Sequence, residues 1–186
     1  MTKARTGRGR VPAREMAATD VVALLEAFDA AGVHVWIDGG WGVDALVGHQ
    51  LRPHDDLDVV VGIDEVASVQ DVLMRMGYTY RDREAPLSFM TVDREGRQVD
   101  VHPVAFDADG NGVYQMDDGG TWTYPAVGLA GTGSIGGTPV RCLTPELQLQ
   151  VHAGYELAAK DHEEIQILRE RFGVAPPPGC EWPDAD

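Results

Sequence analysis

VWIDGGWGVDALVGHQLRPHDDLDVVV, residues 35–61, decides how the rest of the chain is read. Val33-His34-Val35-Trp36-Ile37 is β-branched and apolar, the pattern of a mostly buried strand. Gly39-Gly40 ends it, because glycine reaches positive φ and lets another group approach the backbone. Trp41 to Val47 reads as a short helix, with Gly48 as its stop. A glycine turn that feeds a helix N-terminus leaves N–H groups pointing at one spot, which suits phosphate oxygens. An ordinary strand-turn-helix corner has the same composition, so this half alone does not decide.

The second half does. Asp56-Leu57-Asp58 runs into Val59-Val60-Val61, a strand signal. Residues two apart in a strand share a face about 6.5 Å from one another. Two unit charges at that distance repel by roughly 2–3 kcal/mol at an effective dielectric of 20. A fold accepts this where water or a cation lies between them, and an acidic strand end in water is the plain alternative. Further on, Gln98-Val99-Asp100-Val101-His102-Pro103-Val104 alternates like a half-buried strand and puts Asp100 in its middle. An unpaired charge is expensive there. A metal ligand or a base accounts for it better than packing does.

Gly39-Gly40-Trp41, then Asp56-Leu57-Asp58, then Asp100 on a later strand, resembles the nucleotidyltransferase superfamily of DNA polymerase β. The run WIDGGWGVDALVGHQLRPHDDLD looks like that of the small lincosamide nucleotidyltransferases and is similar to that of the aminoglycoside 2''-adenylyltransferases. With the lincosamide enzymes the likeness continues through VDVHPVAFDADGNGVYQ and IGGTPVRCLTPELQLQVHAGYELAAKDHEEIQIL, so it spans Val21 to Leu168. The 14 residues from Gly42 to Asp55 make a spacer slightly long for the superfamily and ordinary for its antibiotic branch. The resemblance implies an α/β (α+β) fold, a nucleotidyltransferase-type mixed β-sheet with packed helices, followed by a C-terminal helical segment. It implies Mg²⁺-dependent transfer of a nucleoside monophosphate, AMP from ATP, to a hydroxyl of a lincosamide antibiotic.

Under that reading Asp56, Asp58 and Asp100 are the catalytic acids and metal ligands, holding two Mg²⁺ ions, with Asp100 as ligand, base or both. Gly39, Gly40 and Trp41 bind the nucleotide. Arg52 reaches a phosphate or braces Asp58, and Lys160 contacts a phosphate from helices that fold back over the nucleotide. Glu84, Met90, His102 and Tyr155 are acceptor-side candidates, each with core packing or a solvated face as its structural alternative. His54, His152 and His162 have no zinc-like spacing. An aminoglycoside acceptor of the 2'' type stays open, as does a protein or another small molecule.

Composition narrows the partners. Fifteen Lys and Arg stand against 30 Asp and Glu, a net charge of -15, which argues against a nucleic-acid acceptor and favours a small cation. Aminoglycosides are polycations and lincosamides carry one basic amine, so charge alone leans to the former. No apolar run approaches the ~20 residues of a membrane span, and no secretory segment follows the basic N-terminus. The two cysteines, Cys142 and Cys180, make neither a disulfide framework nor a zinc site, which points to the cytoplasm.

In chain order the reading gives a basic, disordered tail (1–15), a core (16–143), a helical segment (144–173) and a flexible tail (174–186). The core starts with a helix from Met16 to Ala31, with Asp20 as cap or in its first turn. A helix from Asp64 to Met76 makes a right-handed strand-helix-strand crossover. Strands follow at Tyr78–Tyr80 and Leu87–Val92, then the Asp100 strand. Asp107-Ala108-Asp109-Gly110-Asn111-Gly112 is a turn rather than a calcium loop, because no bidentate Glu stands at its twelfth position. Val113–Gln115 and Trp122–Tyr124 pair as a hairpin. Gly128 to Gly137, with five glycines, is a flexible loop or a connector. Thr144 caps a helix that starts at Pro145 and runs to Ala159, and a last helix ends near Phe172. A homodimer is left open, since the family can build its acceptor site near a subunit contact.

Overall fold

The computed structural model describes residues 14–82, 87–116, 118–152 and 159–175. The basic N-terminal tail before Arg14 and the C-terminal tail beyond Ala175 lie outside these. An apolar stripe at helical spacing forms α1 (Ala18–Ala30), which buries Val21, Leu24, Leu25 and Phe28. It starts two residues after Met16, whose N–H instead donates to His54 O at 2.8 Å. Asp20 sits in its first turn and accepts the Ala17 N–H at 3.0 Å.

β1 (Val35–Asp38) runs straight into α2 (Gly39–Val47). This helix begins two residues before the Trp41 that the sequence predicts, because the Asp38 carboxylate caps it by accepting the Gly39 N–H at 2.6 Å. β2 (Asp56–Gly62) follows. Ile63–Glu65 is a 3-10 turn in place of a helix capped by Asp64, and α3 (Val66–Arg75) comes after it. β3 (Thr79–Asp82), β4 (Phe89–Val92) and β5 (Gln98–Phe106) complete the central sheet. The expected hairpin, β6 (Gly112–Gln115) and β7 (Thr121–Tyr124), extends it. At the turn before β6, the Asp107 carboxylate accepts the N–H groups of Asp109 and Asn111, both at 2.9 Å.

The sheet has seven strands, ordered β1-β2-β5-β4-β3, with β6 and β7 continuing from β5. β2 and β5 are parallel and the other pairs antiparallel, so the sheet is mixed, as the resemblance implies. The crossover from β2 through α3 lands at the far edge as β3. β4 then brings the chain back and sets β5 beside β2. Those two strands are the richest in valine, and central positions bury both their faces.

On one face Ile37, Leu57, Val59, Val61, Phe89, Val99 and Val101 form a core with α1 and α3. Each such side chain contributes about 1.5–3 kcal/mol of transfer free energy. On the other face Val60 and Val104 pack with Tyr124, Leu129, Leu143 and Leu147.

The glycine-rich stretch is not the flexible loop that composition suggests. It forms a 3-10 turn (Ala126–Ala130) and a hairpin of β8 (Thr132–Ile135) with β9 (Thr138–Arg141). A Cβ on Gly133 would stand 2.2 Å from Ala45 O, so β8 lies directly on the backbone of α2. α4 (Pro145–His152) is capped by Thr144, whose Oγ1 accepts the Leu147 N–H at 3.4 Å. α4 and α5 (Ala159–Phe172) pack on α2, with Leu149, Ile165, Leu168 and Val174 against Val43 and Val47. Among the described residues no helix is long and apolar enough to cross a membrane.

Candidate active site

Register brings the acids together. Asp38 on β1 pairs with Asp58 on β2, and Asp58 pairs with Asp100 on β5, so three carboxylates stand abreast on one face. Met90 on β4, opposite Asp100, extends the row. Neighbouring strands lie about 5 Å apart, and like charges at that spacing repel by roughly 3 kcal/mol per pair at an effective dielectric of 20. His102, two residues beyond Asp100, offsets part of this: its Nε2 is 3.6 Å from Asp58 Oδ1 and 3.9 Å from Asp100 Oδ2. Burial works against the charged imidazolium, but contact with Asp58 and the charges of Asp100 and Asp38 outweigh it and raise the His102 pKa to about 9. The three acids thus favour the charged imidazolium.

Asp38 is the member that sequence reasoning missed. It ends an apolar strand, and only its register shows that it joins Asp58 and Asp100. Its place immediately before a glycine turn and a helix was the available signal, since Asp is a favoured cap. It is 4% exposed. Burial pushes its carboxyl above the usual range and Asp58 adds to the push, while His102, the Gly39 N–H and His152 act the other way.

Gly39 makes the approach possible. Its φ is +59°, and a Cβ there would stand 2.3 Å from Asp58 Oδ2. Because Asp38 takes the Gly39 N–H, it is the later N–H groups of the first turn of α2 that are left without an acceptor within the helix. The Trp41 side chain is 2% exposed and packs on His54 at 4.9 Å between ring centroids, so its indole belongs to the core and only its backbone lies at the turn. His54 is structural, with Nε2 2.6 Å from the buried Asp44 carboxylate.

The donor atoms of Asp58, Asp100 and His102 all lie within 4.8 Å of one another. A half-buried carboxylate, Asp58, beside a buried one, Asp100, suits a hard divalent cation such as Mg²⁺, which takes oxygen ligands and keeps waters. Asp56 lies on the same face one step along β2, opposite Gln98 and outside that close group. The Arg81 guanidinium donates to Gln98. Ser88 and Tyr114 share a hydroxyl hydrogen bond of 2.7 Å, and the Tyr114 ring lies 6.0 Å from His102, forming a polar wall beside the acids.

Arg52 does not reach toward Asp58 as a brace. Its Nε donates to Glu164 on α5 at 2.8 Å and its Nη1 to Pro53 O at 3.1 Å. Lys160 lies in the first turn of α5, with its side chain outside the described ones. Glu84 and Tyr155 lie outside the described residues.

The arrangement of a paired-acid strand, a third acid on its parallel neighbour and a glycine turn has relatives. The profile of the aminoglycoside-2''-adenylyltransferase family matches residues 20–168. A lincosamide resistance protein of Staphylococcus haemolyticus is 30% identical over 146 residues, 78% of this chain and 90% of that protein. A 2''-aminoglycoside nucleotidyltransferase of Escherichia coli is 29% identical over 119 residues, 64% of this chain and 63% of that protein. The lincomycin-bound crystal structure of a lincosamide antibiotic adenylyltransferase superposes with a TM-score of 0.75 at 28% identity, covering 84% of this chain and 98% of that one.

Proposed function

The chain belongs to the aminoglycoside-2''-adenylyltransferase family and is a nucleotidyltransferase, and on that premise we propose that it transfers AMP from ATP to a hydroxyl of a lincosamide antibiotic, inactivating the drug. The observation that carries this reading is the row of Asp58 and Asp100 with His102, set against the glycine turn at the start of α2. The lincosamide acceptor is favoured because likeness to the lincosamide proteins runs nearly their full length. An aminoglycoside acceptor is the second reading, favoured by the family profile and the net charge of -15.

In this mechanism the acceptor hydroxyl oxygen attacks the α-phosphorus. The bond from that phosphorus to its bridging oxygen breaks, and pyrophosphate leaves with the electron pair. Asp100 takes the hydroxyl proton. Asp58 and Asp100, with Asp56 beside them, would hold Mg²⁺, which when bound neutralises phosphate charge. The Gly39–Gly40 turn and the first turn of α2 would receive the outer phosphates, with Arg52 and Lys160 as cations. His102 would flank Asp100 and Met90 would face the acceptor, with Glu84 and Tyr155 as further acceptor-side candidates. The core (16–143) would carry the chemistry and the helical segment (144–173) would close over the nucleotide. The cytoplasm would supply ATP and Mg²⁺.

Mass spectrometry of enzyme, ATP and Mg²⁺ with lincomycin, clindamycin, kanamycin, tobramycin and gentamicin tests the reading. The expected product is a lincosamide carrying one added adenylyl group. Asp58→Asn and Asp100→Asn should fold, by circular dichroism, and lose about 100-fold or more of the rate. An adduct on an aminoglycoside alone would replace the acceptor, and near-normal turnover in either variant would overturn the site.

A further inference from the structure

A second group of buried charges joins three elements beside the glycine turn. Glu164 on α5 is 2% exposed. One of its oxygens accepts from Arg52 Nε at 2.8 Å and lies 2.6 Å from Arg52 Nη2. Its other oxygen is 3.2 Å from His152 Nε2 on α4. His152 is fixed in turn, with Nδ1 2.7 Å from Gln148 O. Gln148 itself is fully buried, and its side-chain amide points at Gly39 O at 3.5 Å. The two C-terminal helices thus reach the start of α2 by two arms, one through Gln148 and one through Glu164 and Arg52.

The second arm ends where a phosphate would sit. Arg52 Nη2 stands 2.9 Å from the position a Gly40 Cβ would occupy, so the guanidinium lies against the first turn of α2 because that residue has no side chain. Hydrogen bonds to Glu164 and Pro53 O take two of the five N–H bonds of the guanidinium, and Nη2 makes an ion-pair contact with the same Glu164 oxygen. The Arg52 side chain keeps 24% of its surface exposed, while Glu164 behind it keeps 3%. The side chain is thus clamped by Glu164 and Pro53 O while part of it stays open to solvent. Burying ionised groups is costly, and an apolar replacement often stabilises as well or better, so stability alone is a weak reason for this network. Burial opposes the Glu164 charge, yet the His152 contact and the Arg52 charge hold its carboxyl below its ordinary range, so it stays an anion for Arg52.

We propose that Glu164, steadied by His152, is a positioning residue for the nucleotide: it holds the Arg52 guanidinium against the first turn of α2 to receive a phosphate oxygen. This rests on the nucleotide half of the function proposed above and is independent of the acceptor. Sequence reasoning had Arg52 as a candidate and had no holder for it, because Glu164 lies 112 residues away.

The test uses the full chain with Mg²⁺. Binding of a non-hydrolysable ATP analogue is measured by calorimetry without any antibiotic, and kcat and both KM values are measured with lincomycin. Glu164→Gln should weaken the analogue and raise KM for ATP about tenfold, with kcat and the lincomycin KM within twofold. Glu164→Asp, which keeps the charge, should recover part of the loss. Arg52→Gln should weaken the analogue by a similar factor, and Arg52→Gln with Glu164→Gln should be no worse than Arg52→Gln alone. Where Glu164→Gln fails to fold, Glu164→Asp carries the test, because the shorter carboxylate keeps the charge, loosens the hold on Arg52 and should weaken the analogue to a lesser degree. Unchanged nucleotide affinity in the folded variants, or additive losses in the double variant, would overturn the proposal. Wild-type enzyme that binds the analogue and modifies no lincosamide would overturn only the acceptor. Normal lincomycin transfer with unchanged affinity in Glu164→Gln would overturn only the positioning role.

Discussion

At Gly39 two requirements meet in one residue. The backbone takes a left-handed φ of +59°, and the Asp58 carboxylate fills the space a Cβ would need, with Oδ2 2.3 Å from it. Gly39→Ala therefore carries backbone strain of about 1–3 kcal/mol and pushes Asp58 out of line with Asp100. Displacement of a reacting group by an ångström can cost about 100-fold in rate. The expected outcome is a folded protein with a lower melting temperature and a rate reduced by about that factor, measured by thermal unfolding and by adenylyl transfer. The glycine pair was legible in the sequence as a turn, because glycine's freedom is a local property. What Gly39 makes room for was not, since Asp58 is 19 positions on and reaches it only through strand pairing. Asp38 escaped for the same reason, as did the hold of Glu164 on Arg52.

Among the elements, α2 is the one the others lean on. The β8–β9 hairpin lies on one side of it and α4 and α5 pack on another. The contact with β8 is backbone against backbone: a Cβ on Gly133 would meet Ala45 O at 2.2 Å and Leu46 N at 2.9 Å. No flexible side chain is there to give way, so Gly133→Ala must push the hairpin off the helix. Overpacking of this kind costs about 2 kcal/mol. For a chain of this size that lowers the melting temperature by roughly 4–8 °C, which calorimetry measures. Activity should fall as well, because α2 carries Gly39 and Gly40. Most elements could be read from local patterns, with ends one or two residues off where a cap decided the start, as Asp38 does for α2. The glycine-rich hairpin mixes two uses of glycine: Gly136 and Gly137 turn it at positive φ, a local property, while Gly133 serves close packing on α2, which no local pattern shows.

Over the whole molecule, ion pairs tie distant segments of an acidic chain. Arg97 binds Asp93 at 2.7 Å across the turn between β4 and β5 and Asp20 on α1 at 2.5 Å. Burial opposes the Asp93 charge, but the Arg97 guanidinium and the N–H groups of Arg97 and Glu95 outweigh it and hold the carboxyl below its ordinary 3.8. The folded state thus binds that proton less readily than the unfolded chain. The stabilisation is fully present above about pH 4 and is lost as pH falls through the depressed folded value. Asp93→Asn should lower the urea midpoint at pH 7 and narrow the gap between midpoints at pH 7 and pH 3; an unchanged gap would remove Asp93 from the account. The sequence by itself determined the strand-turn-helix-strand unit, the acids at Asp56, Asp58 and Asp100, and the family likeness, because alternation, glycine turns and residue spacing are local and survive without a fold. Only the tertiary structure decided that β5 lies parallel beside β2, that Asp38 completes the acidic row, that His102 stands between Asp58 and Asp100, and that Arg52 is held by Glu164. Those are contacts between segments far apart in the chain, set by register and packing, and no local pattern encodes which partner wins.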